Sequence, residues 1–173
     1  MRILVLSLPR TGSTSFSKDL ATEHNLSFVF EPFAPRAFKF NKLKKFETDH
    51  TKNDVVVKTL INDEYDVEWY IELSKQFDTT YLLTRKNLKG CVESWAYLNH
   101  KRGETPEFDF ETEYYWEKTP NYKESETQIF HWDNKLRQIA TKLNLEVLYY
   151  EEIFGYNTNK LRKGDKEFNK RLI

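Results

Sequence analysis

The sequence predicts an α/β fold in which a central parallel sheet is flanked by helices on both faces. Three observations carry the prediction. Short apolar runs recur along the chain and alternate with stretches of helical spacing. The runs are rich in aliphatic and β-branched residues with little polar alternation, as in strands buried on both faces. Charged or phosphate-suited residues follow their ends, where ligands bind in sheets of this kind. With 173 residues the chain has the length of one compact domain.

The first run, "RILVLSL" (2–8), is the candidate central strand, and a glycine-containing loop follows at once. Residues 13–23 suit a helix, with Phe16 and Leu20 four apart on one face. "LSFVFEPF" (26–33) reads as a second strand stopped by Pro32. "DVVVKTL" (54–60) and "TTYLLTR" (79–85) are two more, separated by a segment with Val67, Tyr70, Ile71 and Phe77 at helical spacing. Asn87 is a suitable N-cap for a helix running to about His100. Residues 103–122 are acidic, aromatic and poorly periodic, which predicts a loop or short-helix excursion. From about Glu124 to Leu143 a helix carries Ile129, Trp132, Leu136, Ile139 and Leu143 on one stripe, and "LEVLYYEEIF" (145–154) is the last strand candidate. The tail from about residue 157 is basic and polar, with less order expected.

Composition excludes several function classes. Lysine plus arginine equals aspartate plus glutamate, so the net charge is zero and a nucleic-acid backbone is not the expected partner. The single cysteine, Cys91, has no internal disulfide partner, and no Cys/His spacing resembles a zinc site, so a reducing, cytoplasmic setting without a metal is expected. The apolar stretch Ile3 to Leu8 is shorter than a signal-peptide core, and no other stretch nears the roughly 20 residues of a membrane span, so no membrane partner is expected either. Oligomeric state is not legible.

The loop "SLPRTGSTSF" (7–16) raises the functional question. A glycine-containing turn leading into a helix N-terminus presents backbone N–H groups and a helix dipole to an anion. Gly12 permits the turn, and Ser13, Thr14 and Ser15 add hydroxyls. In an ATP-binding loop of the Walker type a lysine reaches the β- and γ-phosphates. Here the cation is Arg10, two residues ahead of the glycine, and Ser13 stands where that lysine would be.

"LPRTGSTSF" resembles the 5′-phosphosulfate loop of sulfotransferases. "YLLTRKNLKGCVESW" (81–95) is similar to the second signature of that family, a strand ending in arginine followed by a helix carrying a serine, with Arg85 and Ser94 nine apart. "FEPF" and "VVVKT" resemble further segments of carbohydrate sulfotransferases, and "LYYEEIF" resembles the common Tyr-Glu-Asp-Leu strand end, extending the likeness from Met1 to about Phe154. "LRKGDKEF" (161–168) has the Arg-Lys-Gly of the cytosolic branch but lacks the Gly-Asp-Trp that should follow, and a solvated basic tail explains it as well. The chain is also short for the family, lacking most acceptor-binding insertions. The resemblance implies a P-loop three-layer fold and a metal-free enzyme that takes 3′-phosphoadenosine 5′-phosphosulfate (PAPS) as donor and releases adenosine 3′,5′-bisphosphate (PAP). It implies that Arg10, Thr11, Gly12, Ser13 and Thr14 bind the 5′ end of the nucleotide, and that Arg85 and Ser94 bind its 3′-phosphate.

Sulfuryl transfer needs positive charge on the leaving side and a base on the acceptor side, with positioning and electrostatics doing most of the catalysis, as in phosphoryl transfer. Arg10 is the candidate on the leaving side. Glu31 is the candidate base, or else a structural partner of Arg36 or a lysine. Lys58, at the third strand end, is a candidate for the transferring sulfonate, or a salt-bridge partner. His24, His50, His100 and His131 have no spacing that marks a base. The basic, aromatic segment 33–46 suits an anionic or saccharide acceptor, and an amphipathic solvated helix explains it equally. Two other functions stay open: an ATP-dependent P-loop kinase, disfavoured by the missing lysine and by the lack of a Walker-B aspartate, and a degenerate nucleotide-binding module without catalysis.

Overall fold

The computed structural model describes residues 1–33, 53–103 and 122–154, and within the 88–103 helix it describes side chains up to residue 96. Five strands form one parallel sheet: β1 (Arg2–Ser7), β2 (Ser27–Phe30), β3 (Val55–Leu60), β4 (Thr79–Thr84) and β5 (Val147–Tyr149), in the spatial order β2-β3-β1-β4-β5. The helices are α1 (Ser13–Glu23), α2 (Val67–Ser74), α3 (Leu88–Gly103), α4 (Tyr122–Leu143) and α5 (Tyr150–Phe154). The predicted α/β architecture with helices on both faces is therefore present.

Alternate side chains of each strand feed two cores. Ile3 and Val5 of β1 and Val56 of β3 meet Leu20 and Ala21 of α1 on one face, with Phe16, Phe28 and Tyr81 around them. Leu4, Leu6, Val55, Val57 and Leu82 meet Tyr70 and Leu73 of α2, Val92 and Trp95 of α3, and Ile129, Trp132, Leu136 and Ile139 of α4 on the other. The uneven division follows from the strand order. After β1 the chain crosses toward β2, whereas after β3 and after β4 it crosses the opposite way, and right-handed crossovers put connections running in opposite directions on opposite faces. The loops after β1 and β4 therefore diverge from adjacent strands and leave a crevice at the carboxyl edge of the sheet.

Two boundaries differ from the sequence reading. β2 ends at Phe30, not at Pro32: Glu31 still donates its N–H to Lys58 O (2.7 Å), but its backbone turns out of the strand at φ 47. The run 145–154 is not one strand. β5 pairs with β4 only at Val147, Leu148 and Tyr149, opposite Leu82, Leu83 and Thr84. β4 stops there, so the chain beyond Tyr149 has no ladder to join and coils into α5. Elsewhere the predicted elements stand within a few residues: α1 begins at Ser13 directly after Gly12, and α2 is capped by Asp66, whose carboxylate accepts from Trp69 N (2.8 Å).

Candidate functional site

The loop after β1 is shaped by what holds its carbonyls. Thr11 Oγ1 donates to Leu8 O (2.8 Å), Cys91 Sγ contacts Pro9 O (2.9 Å), and Arg85 Nη1 reaches Arg10 O (3.4 Å). Three successive C=O groups are thus drawn into the protein. Because each peptide's N–H points opposite its C=O, the amides of Arg10 and Thr11 face the other way. The chain then passes through two left-handed residues, Arg10 (φ 64) and Gly12 (φ 66). Gly12 is the N-cap of α1 and offers no side chain to the first-turn amides, so these donors stay at the carboxyl edge of the sheet, as an anion site requires. The buried Thr11 hydroxyl serves the loop itself, leaving its amide as its contribution to a ligand. Ser13 is buried at the start of α1, and Thr14 is half-buried beside it.

Arg85 and Ser94 reach the same place from β4 and α3. Arg85 follows the last residue of β4, and Ser94 lies on α3, whose first turn is capped by Asn87 Oδ1 accepting from Gly90 N (3.0 Å). The two motifs meet: Arg10 Nε donates to Ser94 Oγ (2.7 Å). The Arg85 side chain is only 11% exposed and lies over the ring of Tyr150 (4.9 Å). Its Nε is fully buried and has no hydrogen-bond acceptor among the described residues; the nearest carboxylate oxygen, Glu151 Oε1, is 3.7 Å away. A guanidinium has five donors in a planar fork, and leaving one buried and unused is costly unless an acceptor arrives. Cys91 beneath it is inert: burial pushes its thiol up to about 12, against the opposing pull of Arg85 and Arg10.

Glu31 and Lys58 form a pair. Lys58 lies inside β3 on the α1 face, two residues before the strand end, and its ammonium donates to Glu31 Oε1 and sits over the Phe30 ring (4.7 Å). Side-chain exposures are 4% for Lys58 and 14% for Glu31. Burial pulls the Lys58 pKa below the usual lysine range; Glu31 opposes that shift, and Arg10 adds to it. The two acceptor-side candidates are thus one unit, and Glu31 has the lysine partner that was its structural alternative. Phe33, two residues on, packs edge-to-face against Trp69 (5.3 Å), which stacks on Tyr65 (3.8 Å).

Sequence reasoning did not single out Glu151, Tyr150 or Asp133. Glu151 accepts from Lys86 N and Asn87 N. Asp133 accepts from Thr84 Oγ1 (2.8 Å) and from Arg137 Nε (2.7 Å), anchoring the end of β4 to α4. Helix periodicity marks Asp133 as an intruder on the buried stripe beside Trp132, a usable signal. Residues 34–46 of the basic aromatic segment, the excursion 104–121 and Arg162, Lys163 and Gly164 of the tail lie outside the described residues. A separate cleft of about 440 Å³, lined by Asp63, Glu64, Asp66, His131 and Lys135 among others, opens between the β3–α2 connection and α4. Its acidic lip does not suit a phosphate, and the Lys135 ammonium is engaged by Asn62 O and Tyr65 O.

Among the described residues no group of three or more His, Cys, Asp or Glu side chains is placed to hold a metal ion, and no helix is long and apolar enough to cross a membrane. No protein-family model matches the chain, and no curated protein sequence matches it.

Proposed function

We propose that the chain is a sulfotransferase that moves the sulfuryl group of PAPS to a hydroxyl or amine of an acceptor whose identity the sequence does not name. One observation carries the reading: the buried Arg85 guanidinium, with Nε lacking an acceptor, stands beside the loop whose Arg10 meets Ser94. Two phosphate-suited groups from different strands, side by side at one sheet edge, match a nucleotide with separate 5′ and 3′ phosphates better than a single triphosphate chain.

On this reading the loop amides, Arg10 and the hydroxyls of Ser13 and Thr14 hold the 5′-phosphosulfate, and Arg85 and Ser94 hold the 3′-phosphate. The acceptor oxygen or nitrogen bonds to sulfur as the bond from sulfur to the phosphate oxygen breaks. The electron pair leaves with PAP, whose new charge Arg10 and the helix dipole stabilise. The acceptor proton passes to the Glu31 carboxylate, while Lys58 neutralises the approaching sulfonate. No step calls on a metal.

Calorimetry with PAP, ATP and ADP, with and without Mg²⁺, tests the reading. PAP is expected to bind without metal, and Arg85→Ala to weaken PAP about tenfold or more relative to its 3′-dephosphorylated analogue, the scale of a lost charge-assisted contact. Equal or tighter binding of Mg-ATP would replace this reading by the kinase.

A further inference from the structure

Glu151 is the second residue of α5 and stands 64 residues in sequence from Asn87. Both of its carboxylate oxygens are committed to the turn between β4 and α3: Oε2 accepts from Lys86 N (2.9 Å) and Oε1 from Asn87 N (3.1 Å). Neither amide belongs to the β4 ladder, which ends at Thr84, or to α3, which begins at Leu88. The carboxylate therefore sets the course of the chain on which Arg85 stands. Burial alone would raise its pKa, but the amides of Lys86, Asn87 and Glu151 itself, with Arg85, outweigh that and hold it below the usual carboxylate range.

The same carboxylate faces the Arg85 guanidinium at 3.7 Å, beyond hydrogen-bond length but well within the range of charge attraction. It attracts Nε without consuming it. Tyr150, the preceding residue, lies against one face of the guanidinium, and Arg10 O takes Nη1. One face and one edge of the fork are thereby fixed. Gly90 lies beside the fork: a Cβ there would stand 3.7 Å from Arg85 Nη2, an ordinary contact, and 3.1 Å from Asn87 Nδ2, a tight one. The neighbouring Lys86–Glu152 pair is exposed at both ends and contributes little by comparison.

We propose that Glu151 is a positioning residue for the 3′-phosphate: by bridging the two turn amides and orienting Arg85 without bonding it, it determines how strongly the site prefers a 3′-phosphorylated nucleotide. The proposal rests on the reading that Arg85 binds that phosphate.

The experiment compares calorimetric affinities for PAP and for adenosine 5′-monophosphate in the wild type, Glu151→Gln and Glu151→Asp. The ratio of the two affinities is the readout, because a merely structural loss weakens both nucleotides alike. In Glu151→Gln one amide and the charge lose their partner, and the preference for PAP is expected to fall about tenfold while 5′-monophosphate affinity stays within about twofold. Glu151→Asp keeps the charge and is expected to recover part of the preference; if Glu151→Gln does not fold, the partial loss in Glu151→Asp is read the same way. An unchanged or increased ratio in a folded variant overturns the proposal while leaving the sulfotransferase reading intact. A wild type that does not distinguish the two nucleotides overturns both.

Discussion

Replacing Glu31 by glutamine tests the pair at the acceptor side, because the structure makes opposite demands on stability and on chemistry there. The substitution keeps shape and leaves an amide oxygen for the Lys58 ammonium, but removes the countercharge from a lysine that is 4% exposed. Screening by water is weak at that burial, so the loss is that of an uncompensated buried charge, about 3 kcal/mol. For a chain of this size that lowers the melting temperature by roughly 6–12 °C. Lys58→Met alone is expected to cost about 2 kcal/mol, since Glu31 retains some access to water, and the double variant to cost less than the two single variants summed, because both charges are removed together. The pH dependence has a definite sign. The folded pKa of Lys58 is already depressed, so the unfolded chain binds the proton more tightly and stability rises as pH approaches the ordinary lysine value. Glu31→Gln removes the influence that raises this pKa and widens that window, so its deficit is expected to shrink from pH 7 to pH 10. Thermal melts of the four proteins at several pH values provide the assay. Two single variants that each lose under about 0.5 kcal/mol, and that add in the double, would show that the pair is not the buried unit described here. Once an acceptor is in hand, turnover separates the roles: a general base lost at Glu31 costs about 10²- to 10⁴-fold, whereas a purely structural Glu31 leaves per-molecule turnover within a few-fold.

Gly12→Ala is expected to destabilise by about 2–4 kcal/mol, from the left-handed backbone at φ 66 and from a Cβ placed 2.6 Å from Tyr150 Cε2. Combining it with Tyr150→Ala should recover the steric part in a melting experiment, and equal losses in both backgrounds would refute the clash. Cys91 is expected to resist thiol-labelling reagents in the native protein and to react on unfolding in denaturant; labelling of the native protein at the rate of a free thiol would contradict its burial and raised pKa. Asp66→Ala removes the α2 cap and is expected to lower stability by about 1 kcal/mol in a denaturant titration, with nucleotide binding unchanged.

Much of the fold was legible because its signals are local. Apolar runs located β1, β3 and β4, and Gly12 ahead of a helix-compatible stretch located the start of α1. The place of Arg85 directly after a strand end was also legible from the apolar run before it. What was not legible depends on which strands are neighbours. Glu31 and Lys58 meet because β2 lies beside β3 with Phe30 opposite Lys58, a register that neither segment encodes alone. Glu151 sits in a run that reads as strand, and its role appears only when β5 ends opposite Thr84 and the next residues coil back onto the β4–α3 turn. The division of α1 from the other helices followed from strand order and handedness, and the strand order itself could not be obtained from alternation of hydrophobic residues.

The three carbonyls held from beneath by Thr11, Cys91 and Arg85 have a consequence for the thermodynamics of recognition. A flexible phosphate loop must surrender backbone freedom whenever it closes on a ligand, and that entropy is subtracted from affinity on every encounter. Here the ordering is already accomplished by folding, and two of the three side chains, Thr11 and Cys91, are ones that the proposed ligand need not touch. If the proposed reading holds, nucleotide association should accordingly proceed without a slow closure phase, and dissociation should govern affinity differences among variants. Substitutions that only loosen the underside, such as Cys91→Ala, are then expected to weaken binding chiefly through a more unfavourable entropy, although their side chains lie on the far side of the peptide planes from the ligand.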